Sequence, residues 1–460
     1  MAYFALLIIN QTCMKKIILT FLLLLMVMAQ PATAQTKDST STKAPVKPPL
    51  FGIAFSGFVN TDFIFDSRQT VMARDGDWLF YPDAVKPDAQ GKDINARGTF
   101  TILSILTRLT GTITGPDIFK AKSSGYIEGE FYGNAPANIN SFRLRHAYIR
   151  LNWPGTELLF GQYWHPMFVP SCFPETISLN TGAPFLVFSR NPQIRLTQKL
   201  GNFKVVIAAN SQLDATSTGP DGPNTKYLRQ SMIPELNFQV QYGLKNEKSH
   251  TEFLVGAGID YLSLMPLLNT SVLKSAAWDS VKNGVVVHHD AVYSIYKTNT
   301  TISSVVVNFF TKLQLAKVTI KAGAVYGGNC YALNMIGGYA VKSVVDPSRG
   351  IVDYTNITTA SVWTDFKTNG TRWSPGIYGA FSKNLGSSDI ITGAIYSRGA
   401  NIDYIYRIAP RLSLTVKKLK LSSEFDYTVA AYGKTMPNGT VSNSKEIGNF
   451  RVLIGVFYFF

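Results

Sequence analysis

No apolar run in this chain is long enough to cross a membrane as a helix. The longest run, residues 17–28, falls short of the roughly 20 residues that such a helix needs. It follows two lysines and precedes the small residues Ala32-Thr33-Ala34, which is the order of parts in a secretory signal peptide. We therefore predict a signal peptide over residues 1–34. Residues 1–13 resemble a mis-set start ahead of Met14, with an extended n-region as the alternative.

Motifs of the common enzyme classes are also missing. There is no Gly-x-Ser-x-Gly or paired-histidine signature, and the chain has only five histidines. His146 is expected on a strand, where a structural role is simpler, and His288-His289 in a loop lacks the further ligands of a metal site. The sequence therefore predicts no enzyme, no bound metal and no cofactor.

Acidic residues are outnumbered by basic ones, 29 against 44, which gives a formal net charge of +15. Loss of the two signal-peptide lysines, Lys15 and Lys16, lowers this charge to +13. In an exported protein without a nucleic-acid-binding motif, a basic excess favours anionic solutes over nucleic acid. We therefore predict small anionic solutes as partners and no nucleic acid.

Cysteine is scarce, and a signal peptidase would remove one of the three residues, Cys13. No lipobox-like sequence precedes Cys13, so a lipoprotein is not expected. Cys172 and Cys330 lie in separate predicted loops, where pairing is open in an oxidising compartment. The sequence slightly favours two free, poorly exposed thiols.

No linker divides the chain after residue 50, so we predict one domain over residues 51–460 behind a disordered periplasmic leader, residues 35–50. Strand-like stretches alternate with turn clusters, and we count about sixteen strands. Charges at 16% and aromatics at 12% suit strands with lipid on one face and water on the other. The predicted fold is all-β: a closed antiparallel transmembrane barrel with a water-filled lumen, in the outer membrane of a Gram-negative bacterium.

Long segments alternate with short turns along this barrel. Residues 66–96, 263–300 and 328–371 are polar and irregular, which predicts extracellular loops, whereas residues 389–399 are predicted as a strand. Segment 164–188 is Pro-rich and too apolar for a freely solvated loop. It would narrow the lumen, lie at a subunit contact or pack on the barrel rim. Its candidate constriction residues are Trp164, His165, Pro174 and Glu175.

The end of the chain carries a strand with one uniform face. Counting back in steps of two from Phe460 gives only apolar or aromatic residues on that face. A soluble protein rarely ends in such an exposed edge, whereas a barrel closes the edge on its first strand. Val456, Tyr458 and Phe460 therefore predict the signal that the barrel-assembly machinery recognises. The expected surroundings are the lipid bilayer and lipopolysaccharide.

A charged wall is predicted on two neighbouring strands. Glu128 and Glu130 share one strand face, Arg143 and Arg145 share one face of the next strand, and Tyr148 is expected opposite them, toward lipid. A hairpin would pair Glu130 with Arg143 and Glu128 with Arg145, and charges facing lipid would cost roughly 2–4 kcal/mol each. The wall should therefore face the lumen, as a stiffening ladder of ion pairs or as a constriction that attracts anions. Further candidates for this lumen are Arg97, Arg108, Arg190 and Arg195.

A series of motifs in the first half of the chain resembles the DcaP-like porins, in the same order. The motifs are F-R-L-R-H-A-Y (142–148), L-L-F-G-Q-Y-W (158–164), P-E-T (174–176), N-T-G-A-P (180–184) and R-N-P-Q-I-R (190–195). The resemblance covers roughly residues 51–200. It implies a homotrimer of sixteen-stranded barrels and an arginine-lined constriction for small anionic solutes, with Arg143, Arg145 and Arg195 at the motif positions.

This chain departs from the family pattern in two places. A short Pro/Lys leader replaces the family's N-terminal helical segment, and Gly161-Gln162-Tyr163-Trp164-His165 replaces its G-Q-T/S-W-S pattern. Two other functions stay open. One is a fatty-acid-type transporter with a hydrophobic path along segment 164–188, and the other is a non-conducting secretion-accessory barrel with a stable protein partner. TonB-dependent transport is not expected, because residues 35–50 are too short for a plug.

Overall fold

The structure of the protein is a computed structural model that describes residues 51–133 and 136–460. The predicted signal peptide and periplasmic leader, residues 1–50, lie outside the described residues. The described chain consists mainly of antiparallel strands, and none of its helices is long and apolar enough to cross a membrane. A short helix, α1 (Lys226–Ser231), and two 3-10 turns, Pro136–Asn138 and Cys330–Leu333, lie between strands.

The strands of the described residues are numbered here in chain order. They are β1 (Gly52–Asp66), β2 (Thr70–Ala73), β3 (Trp78–Pro82), β4 (Thr99–Leu103), β5 (Arg108–Ile118), β6 (Ala121–Glu130), β7 (Arg143–Trp153), β8 (Thr156–Trp164), β9 (Arg190–Leu200), β10 (Phe203–Asn210), β11 (Glu235–Asn246), β12 (Thr251–Leu264), β13 (Asn269–Ser275), β14 (Trp278–Lys282), β15 (Val285–His289), β16 (Val292–Lys297), β17 (Ile302–Gln314), β18 (Val318–Gly328), β19 (Gly337–Asp346), β20 (Ile351–Thr368), β21 (Trp373–Gly386), β22 (Ile395–Arg398), β23 (Ile402–Val416), β24 (Leu419–Thr435) and β25 (Val441–Phe459).

Sixteen antiparallel strands of the described chain close into a barrel, with β4 and β5 as two parts of one interrupted strand. The barrel strands are β1, β4–β5, β6 to β12, β17, β18, β20, β21, β23, β24 and β25. Closure is made by β1, which pairs with β25 on one side and with β4 and β5 on the other. At this seam Phe58 lies opposite Phe459, and Asp66 lies opposite Arg451. The predicted closed barrel of about sixteen strands is confirmed.

Two of the predicted element assignments are wrong. One barrel strand was missed and one segment was wrongly predicted as a barrel strand, so the total of sixteen is unaffected. Segment 328–371, predicted as a loop, contains the barrel strand β20, whereas segment 389–399, predicted as a strand, contributes only β22, which pairs with β19. The alternation of β20 is weak in sequence because polar residues such as Thr359 and Asp365 face the lumen, while few large apolar residues, Val362 among them, face outward. A strand with a polar lumen face and few large apolar residues on its outer face does not show a clear alternation of apolar and polar residues in the sequence.

The outer face of the barrel is apolar and exposed. In β25, Ile454 and Tyr458 are 46% and 54% exposed, whereas Leu453 and Phe457 on the lumen face are buried. This is the predicted alternation of the C-terminal strand. The same outward exposure is found on other strands, at Phe160, Ile194, Phe238, Phe309 and Ile408. Closure of the barrel leaves no strand edge with unpaired backbone groups, and the outer face is apolar. Such a surface suits contact with the hydrocarbon core of a bilayer.

Two loops enter the barrel and pack against each other inside it. Loop L1 (residues 67–98) carries the hairpin β2–β3, and loop L3 (residues 165–189) joins β8 to β9. Trp78 of L1 packs edge-on against Phe188 of L3 with ring centroids 5.1 Å apart, in a buried cluster that also contains Phe185 and Tyr378. The two loops therefore fill part of the lumen with an apolar cluster.

Both cysteines of the described chain are free and buried. The prediction of two unpaired thiols is confirmed. Burial raises the pKa of Cys172 and of Cys330 to about 12. Neither thiol is therefore a reactive nucleophile at neutral pH.

Removing Phe460, or replacing it with aspartate, is expected to block barrel assembly without affecting passage across the inner membrane. The Phe460 N–H donates to Gly57 O at 3.1 Å, so this residue extends the seam that closes the barrel. The measurement is the amount of heat-modifiable protein in outer-membrane fractions. Phe119→Asp is a matched control, because Phe119 lies in a turn and is 82% exposed. A normal outer-membrane yield of the Phe460 deletion would contradict the prediction.

Candidate functional site

The predicted charged wall forms between β6 and β7. Glu130 lies opposite Arg143, as predicted, and Arg143 Nη2 is 2.9 Å from Glu130 Oε1. Arg145 binds both carboxylates, with Nε 2.7 Å from Glu128 Oε1 and Nη1 2.8 Å from Glu130 Oε2. The residue directly opposite Glu128 is nevertheless His146. The predicted register is therefore right for one pair and shifted by one residue for the other.

A β-bulge in β7 causes this shift. The pairing with β6 skips Arg145, between Leu144 and His146, so two consecutive side chains turn toward the lumen. A bulge reverses the alternation beyond it. Tyr148, predicted to face lipid, instead lines a lumen cavity, and its neighbour Ile149 is exposed on the outer face. That orientation of Tyr148 was not readable from the alternating pattern.

The carboxylates of this wall are covered by guanidinium groups. Glu130 is fully buried and also accepts from Arg108 Nη2 at 3.1 Å, so three arginines surround it. Glu128 additionally accepts from Tyr126 Oη at 2.9 Å and Thr110 Oγ1 at 3.2 Å. Glu130 lines none of the cavities described below, whereas Glu128 lines the middle one together with Arg108 and Arg145.

Three cavities follow one another along the β5–β10 side of the lumen. A narrow cavity of about 20 Å³ is lined by Arg74, Arg143, Arg190 and one carboxylate, Asp214. Trp164 and Phe188 separate it from a middle cavity of about 430 Å³, which contains Arg108 and Arg145. Tyr163 and Phe168 border both the middle cavity and a lower one of about 310 Å³ near the short turns. The charged residues of the lower cavity are Arg150, Arg195, Lys199, Lys204 and Glu157.

The predicted arginines are thus spread along a column and do not form one ring. Arg143 lies at the narrow cavity, Arg145 and Arg108 at the middle one, and Arg195 at the lower one, where its Nε donates to Gln193 Oε1 at 2.8 Å. Arg97 is exposed in L1, away from this column. Sequence reasoning missed Arg74, Asp214 and Lys204, because only the folding of L1 and the loop after β10 brings the first two to the wall.

Loop L3 lies in the lumen, which decides among the three predicted placements. Lumen-facing side chains bind its backbone on several strands: Gln239 Nε2 donates to Pro166 O at 2.9 Å, and Ser361 Oγ donates to Phe185 O at 2.6 Å. The Ile177 N–H donates to Glu424 Oε2 at 2.7 Å. Of the candidate constriction residues, Trp164 borders the cavity column, whereas Glu175 reaches the opposite wall. His165 is buried at the start of the loop, and the Pro174 ring lies beside Gly182, so close that it would clash with any side chain at that position.

Glu175 anchors L3 to the far wall through two ammonium groups. Its carboxylate is 2.6 Å from Lys321 Nζ and 2.5 Å from Lys367 Nζ. Burial alone would raise the pKa of Glu175, but the two lysines outweigh burial and lower it to about 2. An acid with a depressed pKa contributes stability above its unfolded pKa, near 4.3, and loses that contribution as the pH falls through about 2.

For a barrel that conducts in a planar bilayer, we expect the current to be equally quiet from pH 8 to pH 5, and to become noisy only below about pH 3 as Glu175 is protonated and L3 loosens. Glu175→Gln should show the noise at every pH, because the amide cannot pair with both lysines. The measurement is the variance of the single-channel current across this pH range. Glu446→Gln, in an exposed pair with Tyr404, is the control. A parent channel that becomes noisy already at pH 5 would contradict this role of Glu175.

One group of side chains in the described chain has the composition of a metal site. The candidate ligand atoms of His165, Glu235 and Asp260 lie within 4.8 Å of one another, and all three residues are buried. His165 Nδ1, however, accepts from the Met167 N–H at 3.2 Å, so the neutral ring carries its proton on Nε2. The Nε2 nitrogen lies 3.5 Å from one oxygen of each of the two carboxylates. A metal ion would need the Nε2 lone pair, which this tautomer does not offer.

No protein-family model matches this chain, and no curated protein matches it in sequence. Solved structures do match. The outer membrane channel DcaP of Acinetobacter baumannii aligns with 89% of this chain and 97% of its own, with a TM-score of 0.61 at 17% identity. The anion-selective porin from Comamonas acidovorans aligns with 89% of this chain and 100% of its own, with a TM-score of 0.50 at 10% identity.

A third structure, a loop-deletion mutant of the outer membrane protein OmpT of Vibrio cholerae, covers 89% of this chain and 99% of its own, with a TM-score of 0.50 at 8% identity. At these identities the likeness concerns the fold. The resemblance found in the motifs is thus confirmed at that level. With its closed sixteen-stranded wall and apolar outer face, the chain has the fold of the outer-membrane porins of Gram-negative bacteria.

Proposed function

We propose that this barrel is a porin that gives small hydrophilic, anionic solutes passive passage along the cavity column beside L3. The observation that carries the proposal is the excess of cations at every step of the column. Three arginines face one carboxylate in the narrow cavity, two face one in the middle cavity, and four cations face one carboxylate in the lower cavity. Successive cationic steps attract anions and let them move from one site to the next.

The charge count of the wall supports anion preference, because the three guanidinium groups of Arg108, Arg143 and Arg145 outnumber the two carboxylates that they bind, Glu128 and Glu130. Glu130 is fully buried behind Arg108, Arg143 and Arg145, and it lines none of the three cavities. The ion pairs therefore serve as a stiffening ladder that also fixes the guanidinium groups toward the path. Guanidinium forks suit carboxylates and phosphates, which makes such anions the favoured solutes.

The solved structures that share this fold are described as a channel and an anion-selective porin, which supports a channel over an enzyme. By the same likeness we propose a homotrimer in the bilayer with lipopolysaccharide, inserted by the barrel-assembly machinery through the strand that ends in Val456, Tyr458 and Phe460. The fatty-acid-type alternative is less well supported, because the apolar side chains of L3 pack against L1 and the cavity column is charged. A non-conducting accessory barrel would show no current.

The decisive experiment is the reversal potential of the purified protein in a planar bilayer under a tenfold KCl gradient. A porin of the proposed kind conducts, and its reversal potential has the sign of chloride preference. Cation preference in the parent protein would overturn the anionic part of the proposal. A folded, inserted barrel without current would overturn the porin itself.

A further inference from the structure

A further cavity lies on the wall opposite the cavity column, where Glu175 anchors L3. It has a volume of about 360 Å³ and borders residues 369–371, in the short turn that joins β20 to β21. Its charged lining consists of Lys312 on β17, Lys321 on β18, Lys367 on β20 and Glu175 itself, and the other lining residues are neutral. Short turns mark the periplasmic end of an outer-membrane barrel. We call this cavity the lysine vestibule.

The register of the barrel places the three lysines beside one another. Lys312 lies directly opposite Lys321 in the β17–β18 pair. Lys321 in turn lies opposite Asp365 of β20, which puts Lys367 in the diagonal position. Asp365 is already bound by both terminal nitrogens of Arg411, at 2.6 Å and 3.0 Å. Because like charges opposite each other across strands are destabilising, this part of the wall needs further anions.

L3 supplies the missing anion. Lys312 has its own partner, Glu252, with Nζ 2.8 Å from Oε2. Among the described residues, the carboxylate that pairs with Lys321 and Lys367 is that of Glu175 alone. Glu175 lies on a loop, whereas all three lysines are fixed on strands. It is therefore a tethered anion in a cationic site that the barrel wall forms by itself.

The charged groups of this site are accessible from the vestibule. The side chains of Glu175, Lys367 and Lys312 are 35%, 25% and 12% exposed. Within the described part of the chain, Glu175 is the one hydrogen-bond partner of Lys367 Nζ. A dissolved anion can therefore reach the lysines and compete with Glu175 for them.

We propose that the lysine vestibule binds a phosphate dianion, either free phosphate or the head of a small monoester, which displaces Glu175 and releases this end of L3. A phosphate group carries about 1.5 to 2 negative charges near pH 7 and has at least three strong acceptor oxygens, one for each lysine. Lysine commonly binds phosphate as a point charge. The binding is independent of conduction, whereas its effect on the current rests on the proposed porin function.

Binding is measured by equilibrium dialysis of radiolabelled phosphate against the detergent-solubilised barrel at pH 8 and constant chloride. Glu175→Gln removes the tethered competitor and leaves the lysines in place. If Glu175 occupies the site in about nine molecules of ten, this variant should bind phosphate about tenfold more tightly than the parent. Methyl phosphate is the second probe: binding of both compounds admits monoesters, and binding of phosphate alone restricts the site to the free ion.

A second substitution locates the binding. Lys367→Gln, added to Glu175→Gln, should weaken phosphate binding about tenfold, because it removes one charged hydrogen-bond donor. Matched controls are Glu247→Gln and Lys245→Gln, which alter an exposed ion pair outside the vestibule and should leave the binding unchanged. In a planar bilayer at pH 8, phosphate on the side of the short turns should raise the current variance of the parent and leave that of Glu175→Gln unchanged.

The outcomes separate this inference from the porin function. A channel that conducts chloride but binds no phosphate in either the parent or Glu175→Gln overturns the site and leaves the porin standing. A barrel that binds phosphate but carries no current overturns the porin and leaves the site. A Glu175→Gln variant that binds phosphate no more tightly than the parent overturns the displacement. If that variant does not fold, Lys367→Gln alone decides, and unchanged phosphate binding in it overturns the site.

Discussion

Replacing Arg143 and Arg145 together with alanine is expected to raise the conductance of the channel and to shift its selectivity toward cations. Arg143 lines the narrow cavity and Arg145 the middle one, and both cover Glu130. Without them, the narrow cavity keeps Arg74 and Arg190 beside Asp214, and the buried Glu130 carboxylate loses two of its three guanidinium partners. A unit charge about 5 Å from an ion contributes about 3 kcal/mol at an effective dielectric of 20, before screening. The permeability ratio of chloride to potassium should therefore fall by at least about tenfold.

The measurement is the reversal potential under a tenfold KCl gradient, which should move toward the potassium equilibrium potential. The matched control is Arg143→Lys with Arg145→Lys, which keeps both charges and should stay close to the parent's reversal potential. Heat-modifiable migration checks that each variant is folded. If the folded alanine variant keeps the parent's reversal potential, these arginines do not control the passage and the site assignment is wrong.

Replacing Arg451 with alanine is expected to lower the free energy of unfolding of the barrel by about 3–5 kcal/mol. Arg451 is fully buried on the lumen side of the closing seam, with Nε and Nη2 at 2.8 Å and 2.7 Å from the two oxygens of Asp66. Its Nη2 also donates to Gly76 O at 2.7 Å and so ties loop L1 to the seam. The alanine variant leaves the Asp66 carboxylate buried without its cation.

Urea titration of the refolded protein in lipid vesicles gives this free energy. Lys245→Ala is the matched control: the Lys245–Glu247 pair is largely exposed, and its loss should cost less than about 1 kcal/mol. Arg451→Met combined with Asp66→Leu removes both charges and should recover most of the loss. An Arg451→Ala midpoint equal to that of the parent would show that the seam pair does not contribute to stability.

The sequence alone could predict the architecture because a barrel in lipid has only one way to arrange its strands. Every barrel strand needs an apolar outer face, and closure removes the edges, so period-two alternation and the terminal aromatic strand already specify a closed barrel. The pair Glu130–Arg143 followed from the same rule, since charges cannot face lipid. In β20 the lumen face is polar and the outer face has few large apolar side chains. The period-two alternation therefore predicted no strand there, and β20 was missed.

Local register and loop placement were decided only by the tertiary structure. The bulge at Arg145 places His146 opposite Glu128 and turns Tyr148 into the lumen, and a single inserted residue of this kind leaves no trace in composition or period. The path of L3 across the lumen depends on partners distant in sequence, among them Glu424 and Lys321, which no local pattern links to residues 165–189. The sequence by itself determined a basic, arginine-rich membrane barrel. Only the fold decided which of those arginines line the cavity column, because the packing of loops L1 and L3 inside the barrel places that column along the β5–β10 side.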